Sequence, residues 1–293
     1  MLRSNDPSCV KALVNALGTY PNHPWIHKPP KCLGACIEER LKAMGPTAFE
    51  GIVWSLSNPK TRRVAARLCG ELRITCSVEP LLDALLQGER DGDVIAEALG
   101  KIGDLRACAS LVKCAAEGTQ RARCSAIKAL GKIKCPGAVS PLLGILSEAL
   151  NDRRPASQRP DQATRELVTT LGEIGDSSAV PTLIAALSRV SVKGLAVVVL
   201  GKIGDGRAVQ PLLKLVKPGF PAQSAIDAIL NILRMSAGSL QTGDLQDISR
   251  LEDFSDVVSE QNYDGYQALE RRVNISCGLI RSLAKDELNR RNI

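Results

Sequence analysis

The sequence predicts an all-α fold, a solenoid of stacked antiparallel helix pairs followed by a C-terminal helical tail that does not repeat. Three observations predict it. A short phrase recurs, as Leu99-Gly100-Lys101-Ile102-Gly103-Asp104, Leu130-Gly131-Lys132-Ile133, Leu171-Gly172-Glu173-Ile174-Gly175-Asp176 and Leu200-Gly201-Lys202-Ile203-Gly204-Asp205, after a degraded copy at Cys69-Gly70-Glu71-Leu72. An apolar anchor follows each leading glycine by eight residues, at Val78, Cys108, Val139, Val180 and Val209, and the glycines stand 30, 31, 41 and 29 residues apart. Such a fixed period marks an array of supersecondary units. Ahead of each glycine the apolar residues fall at helical spacing, as in Val94, Ala96 and Leu99 or Val197, Val198 and Leu200, which argues for helices and against strands.

Within a unit, the leading glycine is expected to end its helix as a left-handed cap, because glycine adopts positive φ without a Cβ penalty. The Ile-Gly-Asp that follows makes a turn, with Asp104, Asp176 and Asp205 placed to cap the next helix. Pro80, Pro141 and Pro211 then sit in an opening turn, where a missing N–H costs little. Two short helices cannot bury their apolar faces alone, so units must stack, and the curvature of the stack is expected to leave a concave face.

Along the chain, Val10, Leu13, Val14 and Leu17 predict a first helix opened by Asp6-Pro7 and stopped at Gly18. The segment Thr19 to Pro30 holds four prolines, which exclude a regular helix, and both histidines of the chain. Cys32 to Met44 and Thr47 to Leu56 read as helices, with Gly45-Pro46 between them, and Asn58-Pro59 opens a helix ending at Cys69. The longest glycine spacing contains an insertion, Asn151 to Pro160, between the two helices of one unit. Beyond Met235 come a small-residue linker, an acidic stretch and an apolar-patterned helix from Tyr263 to Arg290. The expected organisation is N-terminal helices and a Pro-rich capping segment over 1–45, repeats over 46–235, an acidic linker over 236–264 and a C-terminal helical cap over 265–293.

The phrase A-L-G-x-I-G-D followed by A-V-x-P-L-L resembles the short HEAT-like repeat of phycobilisome (bilin) lyases over roughly residues 60–235. A basic residue stands eight before the glycine at Arg62, Arg123 and Lys193, as in that repeat's V-R-x-x-A-A opening; Gly92 and Thr164 depart from it. The resemblance implies a HEAT-like α-solenoid. It also implies, as one functional reading, a bilin lyase or lyase subunit acting on phycobiliprotein cysteines, with a bound bilin as the cofactor.

Net charge is +7, yet residues 238–264 hold seven acidic side chains against Arg250 alone. The remainder is therefore strongly basic and suits an acidic partner, or the acidic stretch itself folded against a basic inner face. Aromatic residues make up 3% of the chain, which argues against a nucleic-acid surface built on stacking. Ten cysteines without paired spacing, no signal-peptide pattern over Met1 to Val10 and no apolar run beyond that near Leu195 to Leu200 predict a reduced, cytoplasmic protein without a membrane segment. Cys69, Cys108 and Cys124 occupy packing positions and are expected to be buried.

Candidate partner-binding residues are Arg63 and Arg67, one helical turn apart on one face, and Arg121, Lys128 and Arg165 at comparable places in later units. Arg62, in the recurrent basic slot, is expected to pair with a carboxylate in a neighbouring unit's loop. The insertion adds Arg153 and Arg154, and Trp25 and Trp54 are the large aromatic candidates. His23, His27, Cys32 and Cys36 form a weak zinc candidate, since two imidazoles and two thiols suffice for a tetrahedral site but their spacing matches no known finger. Trp25 covering the apolar end of the array is the alternative for that segment.

No phosphate-binding loop, nucleophile elbow or H-E-x-x-H motif is present, and the repeated His-Glu pairs with which HEAT-related deoxyhypusine hydroxylases hold iron are missing. The sequence thus points first to a non-catalytic scaffold that binds a protein or peptide on a basic face. A bilin lyase role comes second and a nucleic-acid-binding solenoid third.

Overall fold

The computed structural model describes residues 7–19, 39–41, 43–87, 90–152, 161–216, 222–236, 238, 240–251 and 278–291. Among these residues there is no strand, and no helix is long and apolar enough to cross a membrane. The chain divides into two compact units, Met1–Pro141 and Leu142–Ile293, each an array of stacked helix pairs.

The first unit opens with α1 (Pro7–Thr19), whose first residue is the expected proline, and α2 (Pro46–Trp54), which a 3-10 turn continues to Ser57. The repeat proper follows as α3 (Arg62–Glu71), α4 (Val78–Gln87), α5 (Gly92–Ile102), α6 (Cys108–Glu117) and α7 (Gln120–Ile133). Helices α3, α5 and α7, which carry the leading glycines, pack side by side. Their buried faces hold Ala65, Leu68 and Cys69, then Ile95, Ala96 and Leu99, then Ala126, Ile127 and Leu130.

These leading glycines do not cap their helices, contrary to the expectation. Each helix runs past its glycine, to Glu71, Ile102 and Ile133. The glycine is instead the point of closest approach: a Cβ on Gly70 would stand 2.7 Å from Ala98 Cα, and one on Gly100 would stand 2.8 Å from Ala129 Cα. The cap is the second glycine, Gly103 with φ +82°, where the L-G-x-I-G-D phrase is complete. Where it is incomplete, Lys134 (φ 54°) and Arg73 (φ 49°) take the left-handed conformation.

The second unit holds α8 (Val139–Asn151, entering from the first), α9 (Asp161–Ile174), α10 (Val180–Ala186), α11 (Val190–Ile203), α12 (Val209–Leu213) and α13 (Ala222–Ser236). The same device recurs. A Cβ on Gly172 would lie 2.8 Å from the Val199 methyl groups and one on Gly201 would lie 2.6 Å from Ala228 Cα, while Gly175 (φ +76°) and Gly204 (φ +78°) make the left-handed turns. Each Asp of the phrase caps a 3-10 turn ahead of the next helix, not the helix itself: Asp104, Asp176 and Asp205 accept from the backbone N–H two residues on. A short α14 (Thr242–Ser249) follows, and residues 278–290 form a last helix, α15, tied back by Arg291 donating to the Leu240 carbonyl at 2.8 Å.

Candidate functional site

The glycine-bearing helices expose a row of side chains three residues before each glycine. In the first unit the row is Arg67, Glu97 and Lys128, all exposed. Glu97 stands about 60° around α5 from Gly100, just past the edge of the buried stripe formed by Ile95, Ala96, Leu99 and Gly100, and it faces outward there.

Arg63 and Arg67 are brought together with Glu71, Val94, Glu97 and Lys101 in a groove of about 510 Å³ between α3 and α5. The groove carries both signs of charge. Lys101 Nζ lies 2.9 Å from Glu97 Oε1, and this contact, reinforced by the charge of Lys132, holds the Glu97 carboxyl below its usual range. Arg63 forks onto Asp93 at 3.0 and 3.1 Å, with Asp91 at 3.7 Å, and its pKa is raised first by the Asp93 hydrogen bond. The carboxylate partner expected for Arg62 thus belongs to Arg63.

Arg62 instead donates from Nε to the Leu56 carbonyl at 2.9 Å, and Arg123, in the same slot, donates to the Ala115 carbonyl at 3.0 Å. Both close the open carbonyl end of the preceding helical segment, where a cation is also favoured by the helix dipole. A loop carboxylate lies farther along the array, within reach of the next residue only.

Arg121 is exposed in the first turn of α7, and Lys128 lies two turns further along that helix. Arg165 is exposed on α9 in the second unit. Trp54 is 55% exposed and stacks under Lys11, whose Nζ is 3.8 Å from the ring centroid. That contact joins α2 to α1 through the ring face. Trp25, His23, His27, Cys32, Cys36, Arg153 and Arg154 lie outside the described residues. Among the described residues no cluster of His, Cys, Asp and Glu is arranged to hold a metal ion.

Among the described residues the cysteines depart from the uniformly reduced expectation at one place, for Cys108 and Cys135 are disulfide-bonded, with their Cα atoms 6.2 Å apart. One residue opens α6 and the other precedes the next 3-10 turn, and stacking of consecutive repeats makes these loop ends neighbours, which one-dimensional spacing conceals. Cys69 is buried as expected, and burial pushes its thiol up to about 12, although the Ser77 side chain hydrogen-bonds to it. It is therefore a neutral packing group at physiological pH.

Sequence reasoning missed two recurring ion pairs. Arg106 forks onto Asp104 and reaches Glu79 of the preceding repeat at 3.0 Å; Arg207 forks onto Asp205 and reaches the Ser177 carbonyl at 2.7 Å. The D-x-R spacing at 104–106 and 205–207 was the available signal. Missed too was Arg189, which donates to the Ala149, Leu150 and Asp152 carbonyls at 2.6, 3.0 and 2.9 Å and fixes the chain where the insertion departs.

The Asp104 and Asp205 carboxyls are held below their usual range first by the side-chain hydrogen bonds of Arg106 and Arg207, and Asp176 by the Ser178 backbone N–H. A carboxyl whose folded pKa is depressed stabilises the fold above its unfolded value, about 4, and loses that contribution as pH falls through the folded pKa. The triple variant Asp104→Asn, Asp176→Asn, Asp205→Asn is accordingly expected to lose less Tm than the parent between pH 5 and acid conditions. Equal losses in calorimetry would show that these turns do not contribute to acid sensitivity.

The described part of the acidic stretch does not lie against the exposed row. Gln210 on α12 donates to Asp244 and Asp247 at 2.9 and 2.8 Å, so α14 packs on the helix layer that lacks the glycines. An uncharged amide between two carboxylates satisfies them without an ion pair. Residues 252–264 lie outside the described chain.

Three segments, 122–148, 165–189 and 192–217, match the model of the PBS lyase HEAT-like repeat. No curated protein matches the chain. Among solved structures, it is similar to a chain in the complex of CpcE and CpcF of phycocyanin lyase from Nostoc sp. PCC7120, at 18% identity over 91% of this chain and 98% of that one, with a TM-score of 0.46. It is also similar to human deoxyhypusine hydroxylase in complex with glycerol, at 17% identity over 95% of this chain and 98% of that one, with a TM-score of 0.33.

Proposed function

We propose, from a chain that carries PBS lyase HEAT-like repeats, that this protein is a non-catalytic scaffold which holds a protein or peptide segment along its glycine-bearing helices. One observation carries the reading. Within each unit those helices pack side by side and turn side chains outward three residues before the glycine, Arg67, Glu97 and Lys128 exposed in the first unit, and in the second a half-buried Thr169 and an exposed Val198. Extended surfaces of this kind bind long segments through many modest contacts.

The second reading, a bilin lyase or lyase subunit acting on phycobiliprotein cysteines, is favoured by the repeat type itself, which is described by that activity. Basic residues of the row would then pair with bilin propionates. Repeats of one type serve many functions, so this alone does not carry it past the scaffold reading.

The test uses the full chain as bait in lysate of its source organism, read by mass spectrometry and by visible absorbance. A colourless eluate enriched in one protein, lost when Arg67 and Lys128 are replaced by glutamate, is the expected result. A coloured eluate containing phycobiliprotein subunits would replace the scaffold reading with the lyase one. Recovery of nucleic acid with a steep dependence on salt would overturn both.

A further inference from the structure

The exposed row changes character in the second unit. Where α3, α5 and α7 present Arg67, Glu97 and Lys128, α11 presents Val198, 56% exposed, and its first residue Val190 is 91% exposed. The two valines are separated by two helical turns, about 12 Å along the axis. Met235 on α13 is 63% exposed, and a Cβ on Gly204 would lie 2.9 Å from its sulfur, so the thioether rests on the C-terminal cap of α11 and extends the apolar line. Thioethers and valines together make an adaptable apolar contact.

The rim of this patch is uncompensated. Lys202 on α11 and Arg234 on α13, both exposed, make no ion pair among the described residues, whereas Arg63 and Lys101 in the first unit both do. On the helices to either side of α11, Glu173 stands on α9 and Asp227 on α13, and Asp227 already has a partner. An apolar line bordered by free cations is complementary to a helix with an apolar stripe and acidic flanks.

We propose that the α11–α13 face of the second unit docks an acidic amphipathic helix of a partner protein, its apolar stripe on Val190, Val198 and Met235 and its carboxylates on Lys202 and Arg234. The proposal rests on the scaffold reading and assigns that scaffold's contact surface and the chemistry of its partner.

The test is fluorescence anisotropy with the full chain and a fluorescein-labelled helical peptide bearing leucines at i, i+4 and i+8 flanked by glutamates. Saturable binding is expected, weakened at least about tenfold by Val198→Asp and by Lys202→Glu, the size expected for a central contact. Leu105→Asp, an exposed apolar position in the first unit, should leave it unchanged. Circular dichroism verifies that each variant is folded. Equal affinity for the lysine-for-glutamate twin of the peptide, insensitivity to Val198→Asp, absence of saturable binding, or displacement of the peptide by single-stranded DNA would each overturn the proposal. If Val198→Asp abolishes peptide binding yet the bait variant still captures its lysate partner, the docking site falls and the scaffold reading stands.

Discussion

Gly100→Ala is expected to destabilise the first unit by about 1–3 kcal/mol, the cost of forcing a methyl group into a closed contact. The sign is the informative part. Glycine inside a helix is worth roughly 1 kcal/mol less than alanine, so helix propensity alone would make this substitution stabilising. The structure reverses it because the new Cβ would stand 2.8 Å from both the Ala129 Cα and its methyl carbon, and Ala129 is held in the interior of α7 with 1% exposure. Backbone cannot step aside without parting α5 from α7. Gly144 is the internal control, since it lies within α8 and a Cβ there meets nothing within 4 Å. Gly144→Ala should raise stability by up to about 1 kcal/mol. Urea titration followed by circular dichroism measures both, and a common sign for the two substitutions would refute the close-approach argument.

Arg189→Met is expected to cost about 2–3 kcal/mol, the range for hydrogen bonds from a charged group whose partners are then left open. Methionine keeps most of the length and apolar contact of the stem, so the loss isolates the guanidinium. Its three acceptors, the Ala149, Leu150 and Asp152 carbonyls, end α8 where the insertion begins, and a helix terminus has no other donors of its own for them. Hydrogen exchange should therefore accelerate around residues 149–152 and at the start of α11, with α13 left as protected as before. Uniform acceleration across the unit, or none, would show that Arg189 does not anchor this junction. Arg189→Lys should recover only part of the loss, because an ammonium cannot span three carbonyls as the planar fork does.

Much of the architecture was legible in the chain. The apolar spacing before Gly100, Gly131, Gly172 and Gly201 identified four helices, and the constant offset to Val139, Val180 and Val209 located the start of the helix after each turn. Propensity and periodicity suffice there, because each helix buries one stripe against identical neighbours. The roles of the two glycines in L-G-x-I-G-D were not separable by the same means. Both satisfy the requirements of a cap on paper, and only Gly103, Gly175 and Gly204 adopt positive φ.

The candidate site was less legible. Arg63 and Arg67 read from their spacing as sharing one face of a helix, and both line the groove between α3 and α5. Arg63, not Arg62, meets the carboxylate, since adjacent residues on a helix point about 100° apart and the one facing Asp93 of the next repeat depends on how the helices are rotated. The uncompensated patch at Val190, Val198 and Lys202 escaped notice for a related reason. Val198 continues the apolar run from Leu195 to Leu200, and a helix apolar all round gives no periodic signal to say which valine is outside.

The sequence by itself determined the helices, their order and the repeat length, because these depend on the backbone preferences of residues a few positions apart. Tertiary structure alone decided which glycine admits a neighbouring helix, which arginine meets a carboxylate and which carbonyls Arg189 closes. Each of these depends on the rotation of one helix against the next and on a separation of a few ångströms between their backbones, quantities set by all the packed side chains of both helices together.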